Sequence, residues 1–198
     1  MNTEFYKVIN RRRTIRDFED RPIPADALER IISAGLQAPT YNHNREWEFV
    51  ILQGHDEKEN ALQFVKAFAE RYSKNDKVPE NASLPQKMYA YAMPRQYTML
   101  MESGCVILPF FKGTDQGMPF ASVWCCIENI FLSAAAEGLA CSMRIPVGNE
   151  GRDVAGAVKA PGGYMMPCYI GVGYPKEDAM IIEQVKRDSK SVMHMGKW

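Results

Sequence analysis

Near the start of the chain Phe5, Val8 and Ile9 recur on one helical face, and Asn2 or Thr3 can cap it. The face ends in Arg11, Arg12 and Arg13, so the pattern predicts a short helix that delivers arginines to its C-terminal end. Arg21-Pro22-Ile23-Pro24 reads as an extended connector, because each proline disfavours α geometry in the residue before it. A second helix follows, with Leu28, Ile31, Ile32 and Leu36 as its buried stripe. Pro24 suits its first turn, and Gly35 and Pro39 bring it to a close. Beyond the polar loop from Pro39 to Glu46, the alternation of Trp47, Phe49 and Ile51 with their neighbours predicts a strand at 46–52.

Leu62, Val65, Phe68, Ala69 and Tyr72 outline a moderately amphipathic helix. Residues 73–87, rich in Asn, Pro, Ser and Lys, read as a mobile surface insertion, and the Met/Tyr stripe of 88–101, broken by Pro94, as adaptable core; 73–103 together form a lid or insertion. The continuous apolar run from Gly104 to Phe111 is a strand covered on both faces. The stretch 120–141 is the most hydrophobic helix candidate, with Gly138 as its stop. Val123, Trp124, Cys125, Ile127, Ile130, Phe131 and Leu132 surround it so completely that one core-facing stripe cannot cover them, and a partner helix is expected. Gly148 to Gly163 reads as connector, Pro167 to Gly173 as a final strand, and 176–198 as a C-terminal arm whose Val192, Met193 and Trp198 need burial against a neighbour. Interleaved helices and strands make one α+β domain over 1–198.

Composition adds exclusions. The 198 residues are 46% hydrophobic, as an ordinary globular domain requires, and 24 basic residues balance 24 acidic ones. Zero net charge argues against a general nucleic-acid or membrane-surface binder, so any anion site must be local. No apolar leader and no uncharged apolar span is evident, and the five cysteines include no CxxC pair, which together predict a cytoplasmic protein with reduced thiols. The three histidines are scattered without HExxH spacing, so no metal site is expected. No GxGxxG follows a strand and no P-loop lysine follows the glycines.

The strongest local chemistry is Arg11-Arg12-Arg13-Thr14-Ile15-Arg16-Asp17-Phe18. Guanidinium forks beside a hydroxyl and loop amides suit a phosphate, although basic residues at a helix C-terminus also complement its dipole. With Pro22 to Pro24, Ala38-Pro39-Thr40, Trp47, Gly138-Leu139, Pro146 and Gly171-Val172-Gly173-Tyr174-Pro175, this run resembles the FMN-dependent nitroreductase family.

The resemblance implies a layered α/β/α sandwich with a central, mainly antiparallel sheet, homodimeric with exchange of the C-terminal arm. It implies bound FMN, NADH or NADPH as electron donor, and a small electron-poor acceptor such as a nitroaromatic or quinone. Arg12 and Thr14 would hold the FMN phosphate, with Arg13 lining it and Lys186 or Arg187 adding a basic ligand. Arg16 would reach flavin N1 and O2, where a fixed guanidinium stabilises the charge that reduction creates. Pro39, Thr40, Tyr41, Asn42 and His43 match the flavin loop, in which His43 and Arg45 replace an amide pair. Met143, Arg144 and Ile145 match the segment whose backbone amide faces N5. No catalytic side chain is nominated, because the flavin carries the chemistry. Alternatives on the same fold are a flavin-dependent dehalogenase or flavin-fragmenting enzyme. From a different class comes a non-catalytic module that binds a nucleotide or other phosphate ligand.

Overall fold

A computed structural model describes residues 3–72, 79–182, 184 and 186–198. Residues 73–78, the start of the expected mobile insertion, lie outside the described residues. The strands β1 (Trp47–Leu52), β2 (Cys105–Lys112), β3 (Ala140–Arg144) and β5 (Tyr169–Gly173) form a sheet in the order β1-β2-β5-β3, and β4 (Tyr164–Met165) pairs with the end of β2. Every pairing between these strands is antiparallel.

The sheet is apolar on both faces because helices cover both. On β2, Cys105, Ile107 and Phe111 join a core with α2 (Ala25–Leu36) and α6 (Met118–Ala136), whereas Val106, Leu108 and Phe110 join a second core. That second core lies under α3 (His55–Tyr72), α5 (Thr98–Met101) and α7 (Glu150–Ala157). A strand with helices on both sides has no polar face to alternate with, hence the unbroken run in the sequence. The layered α/β/α, mainly antiparallel arrangement expected from the sequence is the one found.

Three local expectations are corrected. The helix within 120–141 stops at the expected Gly138, with α6 ending at Ala136 and Gly138 at a φ of 78°, but the last residues of the stretch, Ala140 and Cys141, already belong to β3. Apolar composition alone cannot separate a buried helix from the buried strand that follows it. Residues 148–163 are not plain connector, since α7 occupies eight of them and buries Val154. On α6, Val123, Ile127, Ile130 and Phe131 need no partner helix, because they are buried between the sheet and α2. Close approach of α2 makes this possible: a Cβ on Gly35 would stand 2.8 Å from Ile130 Cγ1, so this glycine serves packing rather than helix termination. The residues α6 leaves exposed are Met118, Ala121, Cys125, Glu128 and Ala136, with Leu132 half-buried.

By length and composition α6 could cross a membrane, but its Val123, Ile127, Ile130 and Phe131 are already buried in the core. The 92–101 stretch is likewise core in part, with Met93, Met99 and Leu100 buried, while α4 (Leu84–Ala92) lies nearer the surface. α1 (Thr3–Arg11) buries no residue and leaves Phe5, Tyr6 and Ile9 exposed.

Phe18 is fully buried against Gly173, whose Cβ position would lie 2.8 Å from the Phe18 ring, and it anchors the arginine turn to the sheet. Replacing it empties a packed site, so Phe18→Ala should cost about 3–5 kcal/mol in urea-monitored unfolding. A loss below about 1 kcal/mol would mean the turn is held elsewhere.

Candidate functional site

After α1 the chain docks on the free edge of β3. Thr14 bridges Cys141 in parallel register, and the Ile15 N–H donates to the Cys141 carbonyl at 3.1 Å. Ile15 and Phe18 turn into the core while the arginines between and before them face outward. The far end is tied down by the Glu19 N–H to the Tyr174 carbonyl, 2.9 Å, and the Lys176 N–H to the Asp17 carbonyl, 3.1 Å. A sequence-local cationic run thereby becomes a fixed surface.

Arg12, Arg13, Thr14 and Arg16 form one wall of a 320 Å³ cleft, closed by Leu84 and Met88 of α4 and by Ile182 and Gln184 of the tail. The three arginines differ in how they are held. Arg12 makes a loose ion pair with Glu128 at 3.9 Å, and its partner is largely exposed. Arg13 folds back, donating to the Asn10 and Arg12 carbonyls at 2.7 and 2.8 Å, and so caps the C-terminus of α1. Arg16 is the unusual one: its Nε is buried without a hydrogen-bond partner. Burial pulls its pKa down, opposed by the nearby Tyr91 and Asp17. A buried N–H left unpaired is costly, so this atom stands ready for an acceptor that the described residues do not supply.

Behind Arg16, the Tyr91 hydroxyl donates to Asp17 Oδ2 at 2.6 Å, and the Arg95 guanidinium stacks over the Tyr91 ring at 4.0 Å. Desolvation, then the bond to Asp17, raises the Tyr91 pKa. Asp17 is thus shared between Tyr91 and Arg95 while it still acts through space on Arg16.

The other residues singled out from the sequence are elsewhere. The loop holding Pro39, Thr40, Tyr41, Asn42 and His43 is exposed apart from a half-buried Thr40, whose hydroxyl donates to the Asn44 carbonyl. Asn42 and His43 adopt left-handed φ values of 51° and 55°. The Tyr41 N–H donates to Ser122 Oγ in the first turns of α6, whereas Arg11 donates to the Ala135 carbonyl near its other end. Thirteen residues of helix separate those two anchors, roughly 20 Å at 1.5 Å per residue, so loop and arginine turn are anchored far apart within one chain. Met143, Arg144 and Ile145 end β3 on the side away from Thr14. Arg144 is buried in an ion pair with Glu150 through Nη1. Lys186 and Arg187 are exposed and are not among the residues that line the arginine cleft, which the tail reaches through Ile182 and Gln184. A separate, larger cleft of 850 Å³ lies beyond the end of β3, between Ile145, Phe111, Phe120 and Tyr164.

Leu84 and Met88 were legible in principle, since Ser83-x-x-Gln86 is a capping box and both its reciprocal bonds form at the start of α4. Tyr91 and Gln184 carry no comparable signal.

Residues 9–174 match the model of the Nitroreductase family, from the end of α1 through the last strand. The chain belongs to the nitroreductase family. Among relatives of this nitroreductase-family chain, iodotyrosine deiodinase from Nematostella vectensis is 22% identical over 203 residues, spanning 97% of this chain and 75% of that protein. A nitroreductase with bound FMN from Bacteroides fragilis superposes with a TM-score of 0.70 at 21% identity, over 94% of this chain and 96% of its own. An oxidized iodotyrosine deiodinase bound to FMN and 3-iodo-L-tyrosine gives a TM-score of 0.73 at 18% identity, over 93% and 95%. At these identities the structural likeness shows the shared fold.

Tyr91→Phe should lower stability by about 1 kcal/mol, the net worth of one hydrogen bond, in urea unfolding at neutral pH. An unchanged midpoint would remove Tyr91 from the support of the arginine turn.

Proposed function

We propose that this chain is an FMN-dependent oxidoreductase that takes electrons from NADH or NADPH and passes them to a small electron-poor acceptor such as a quinone or nitroaromatic. The observation that carries the reading is the buried, unpartnered Nε of Arg16 in a cleft already walled by Arg12, Arg13 and Thr14. Family membership and the FMN named in two structural neighbours support it.

The residues present fit the cofactor. Arg12, only loosely held by Glu128, and the Thr14 hydroxyl are free to meet a phosphate dianion, with Arg13 alongside. Arg16 offers a desolvated donor, and Leu84, Met88 and Ile182 offer apolar surface beside it. When bound, FMN supplies the two-electron chemistry, accepting hydride from a nicotinamide and giving electrons up to the acceptor. The protein's part is to bind, orient and polarise: a fixed guanidinium in a dry setting stabilises negative charge more strongly than one in water. No side chain is required to transfer a proton at the reacting centre.

The working unit in this reading is a homodimer. α1 exposes Phe5, Tyr6 and Ile9, and the tail exposes Val192, Met193, Met195 and Trp198, more apolar surface than a monomer of this size leaves open without use. The exposed stripe of α6 recurs at intervals of three and four residues and includes the small Ala121 and Cys125, which allows close packing on a second copy of itself. Two-fold pairing along α6 would bring the Tyr41–His43 loop of one protomer to the arginine turn of the other, joining groups that one chain holds about 20 Å apart. A solution mass of one chain rather than two would contradict this.

A second reading for the acceptor, reductive removal of halogen from a halogenated phenol, is supported by the match to iodotyrosine deiodinase over nearly the whole chain. Iodide release from 3-iodo-L-tyrosine by the reduced protein would decide for it, and quinone or nitro reduction without iodide release for the first. For either acceptor, Arg12→Ala should weaken FMN binding about 10- to 150-fold, the loss of one charge-assisted contact of ~1.5–3 kcal/mol, in a fluorescence titration of apoprotein. Unchanged affinity would remove Arg12 from the site.

A further inference from the structure

The turn that follows β3 is held by a buried ionic brace. Val147 and Glu150 are joined twice: the Glu150 N–H donates to the Val147 carbonyl at 3.2 Å, and the Val147 N–H donates to Glu150 Oε2 at 3.1 Å. Between them Gly148 takes a φ of 61° and Asn149 φ −85°, ψ −1°, the pattern of a type II′ turn, in which glycine meets the left-handed requirement at the first central position. The other carboxylate oxygen, Oε1, accepts from Arg144 and from the Tyr169 hydroxyl at 2.8 Å. Arg144 also reaches the Ile145 carbonyl at 3.4 Å and lies between the rings of Phe68 and Tyr169, 5.0 and 5.4 Å from their centroids. Arg144 and Glu150 are both buried, whereas Ile145 and Val147, which they hold, are exposed by half.

Such an arrangement is poor value as stabilisation alone. A buried ion pair is often no better than an apolar pair of the same volume, and here Arg144 Nε and Nη2 are left without partners. What the pair does achieve is geometric, because it fixes both the carbonyl of Ile145 and the peptide of Val147 from beneath while leaving their outer face open. We propose that Arg144 and Glu150 are positioning residues that hold the 145–148 main chain in the attitude from which it meets the reactive edge of the cofactor. The inference rests on the FMN reading above and on β3 as the link: the four residue steps from Cys141, where the arginine turn docks, to Ile145 carry the chain about 13 Å, at 3.3 Å per residue. Phosphate and reacting ring of one extended mononucleotide can therefore lie along a single strand.

A single Glu150 replacement would leave a buried uncompensated guanidinium and threaten the fold. The test therefore compares two double variants that both remove the charge pair. In Arg144→Met with Glu150→Met, methionine fills the space between the rings and no acceptor remains for the Val147 N–H. In Arg144→Met with Glu150→Gln, the amide oxygen can still accept from Val147 while its NH₂ donates to the Tyr169 hydroxyl. The first readout needs no cofactor: hydrogen exchange at the Val147 amide should accelerate by roughly tenfold or more in the Met/Met variant and return near the wild-type rate in the Met/Gln variant. The second is the anaerobic rate of flavin reduction by NADH or NADPH, which should fall at least about tenfold in Met/Met with FMN affinity unchanged, and recover in Met/Gln.

Val147 exchange that is the same in all three proteins would overturn the brace. Faster exchange with an unaltered reduction rate, or equal slowing in both variants, would overturn the positioning role. A wild-type protein with no affinity for FMN would overturn the functional reading, and with it the positioning role, while the exchange measurement would still report on the brace.

Discussion

The candidate site depends on one backbone contact, the docking of the Thr14–Ile15 segment on the edge of β3 through the Ile15 N–H and the Cys141 carbonyl. An exposed run of arginines is ordinarily a solvated surface with no defined shape. Tied to an edge strand and nailed by Ile15 and Phe18, the same run presents donors at fixed positions, and one of them, Arg16 Nε, is carried out of water. The contact also covers part of the unpaired edge of β3, which would otherwise be open to pairing with another chain.

Electrostatics then follow from packing. The chain is neutral overall, so attraction for an anion comes from the local turn and not from a general field. Asp17, the acid inside the basic run, is engaged by Tyr91 and Arg95 while still supporting the charge of Arg16, and Glu128 stands nearly 4 Å from Arg12. At the other end of β3 the opposite solution holds: Arg144 is matched by a buried acid, and its task is to shape the main chain. The two arginine positions flank one strand, but only the first leaves its cations for a ligand.

Much of this was legible in the sequence where a pattern has a single physical cause. The run Arg11 to Phe18 announced itself by its clustered arginines beside a hydroxyl at the exit of the first helix, and β2 by an unbroken apolar run of strand length. Legibility failed where one pattern has two causes. Apolar residues from Phe120 to Cys141 serve a helix and then a strand, and only Gly138 marks the division. Apolar side chains around α6 implied a partner, yet α2 comes close enough at Gly35 to cover most of them. Glu150 could not be found at all, because its importance lies in contacts with Arg144, Val147 and Tyr169 that periodicity does not encode. Lys186 and Arg187, phosphate ligands by resemblance, are exposed in the tail and do not line the arginine cleft.

The central claim is that the arginine turn holds a redox cofactor in working order, not merely a phosphate. It is tested most directly by following the visible absorbance of the FMN-loaded protein anaerobically as NADH or NADPH is added. The account predicts that the absorbance is lost on addition of one of these donors and returns when a quinone or nitroaromatic follows; absorbance unmoved by both nicotinamides would contradict it.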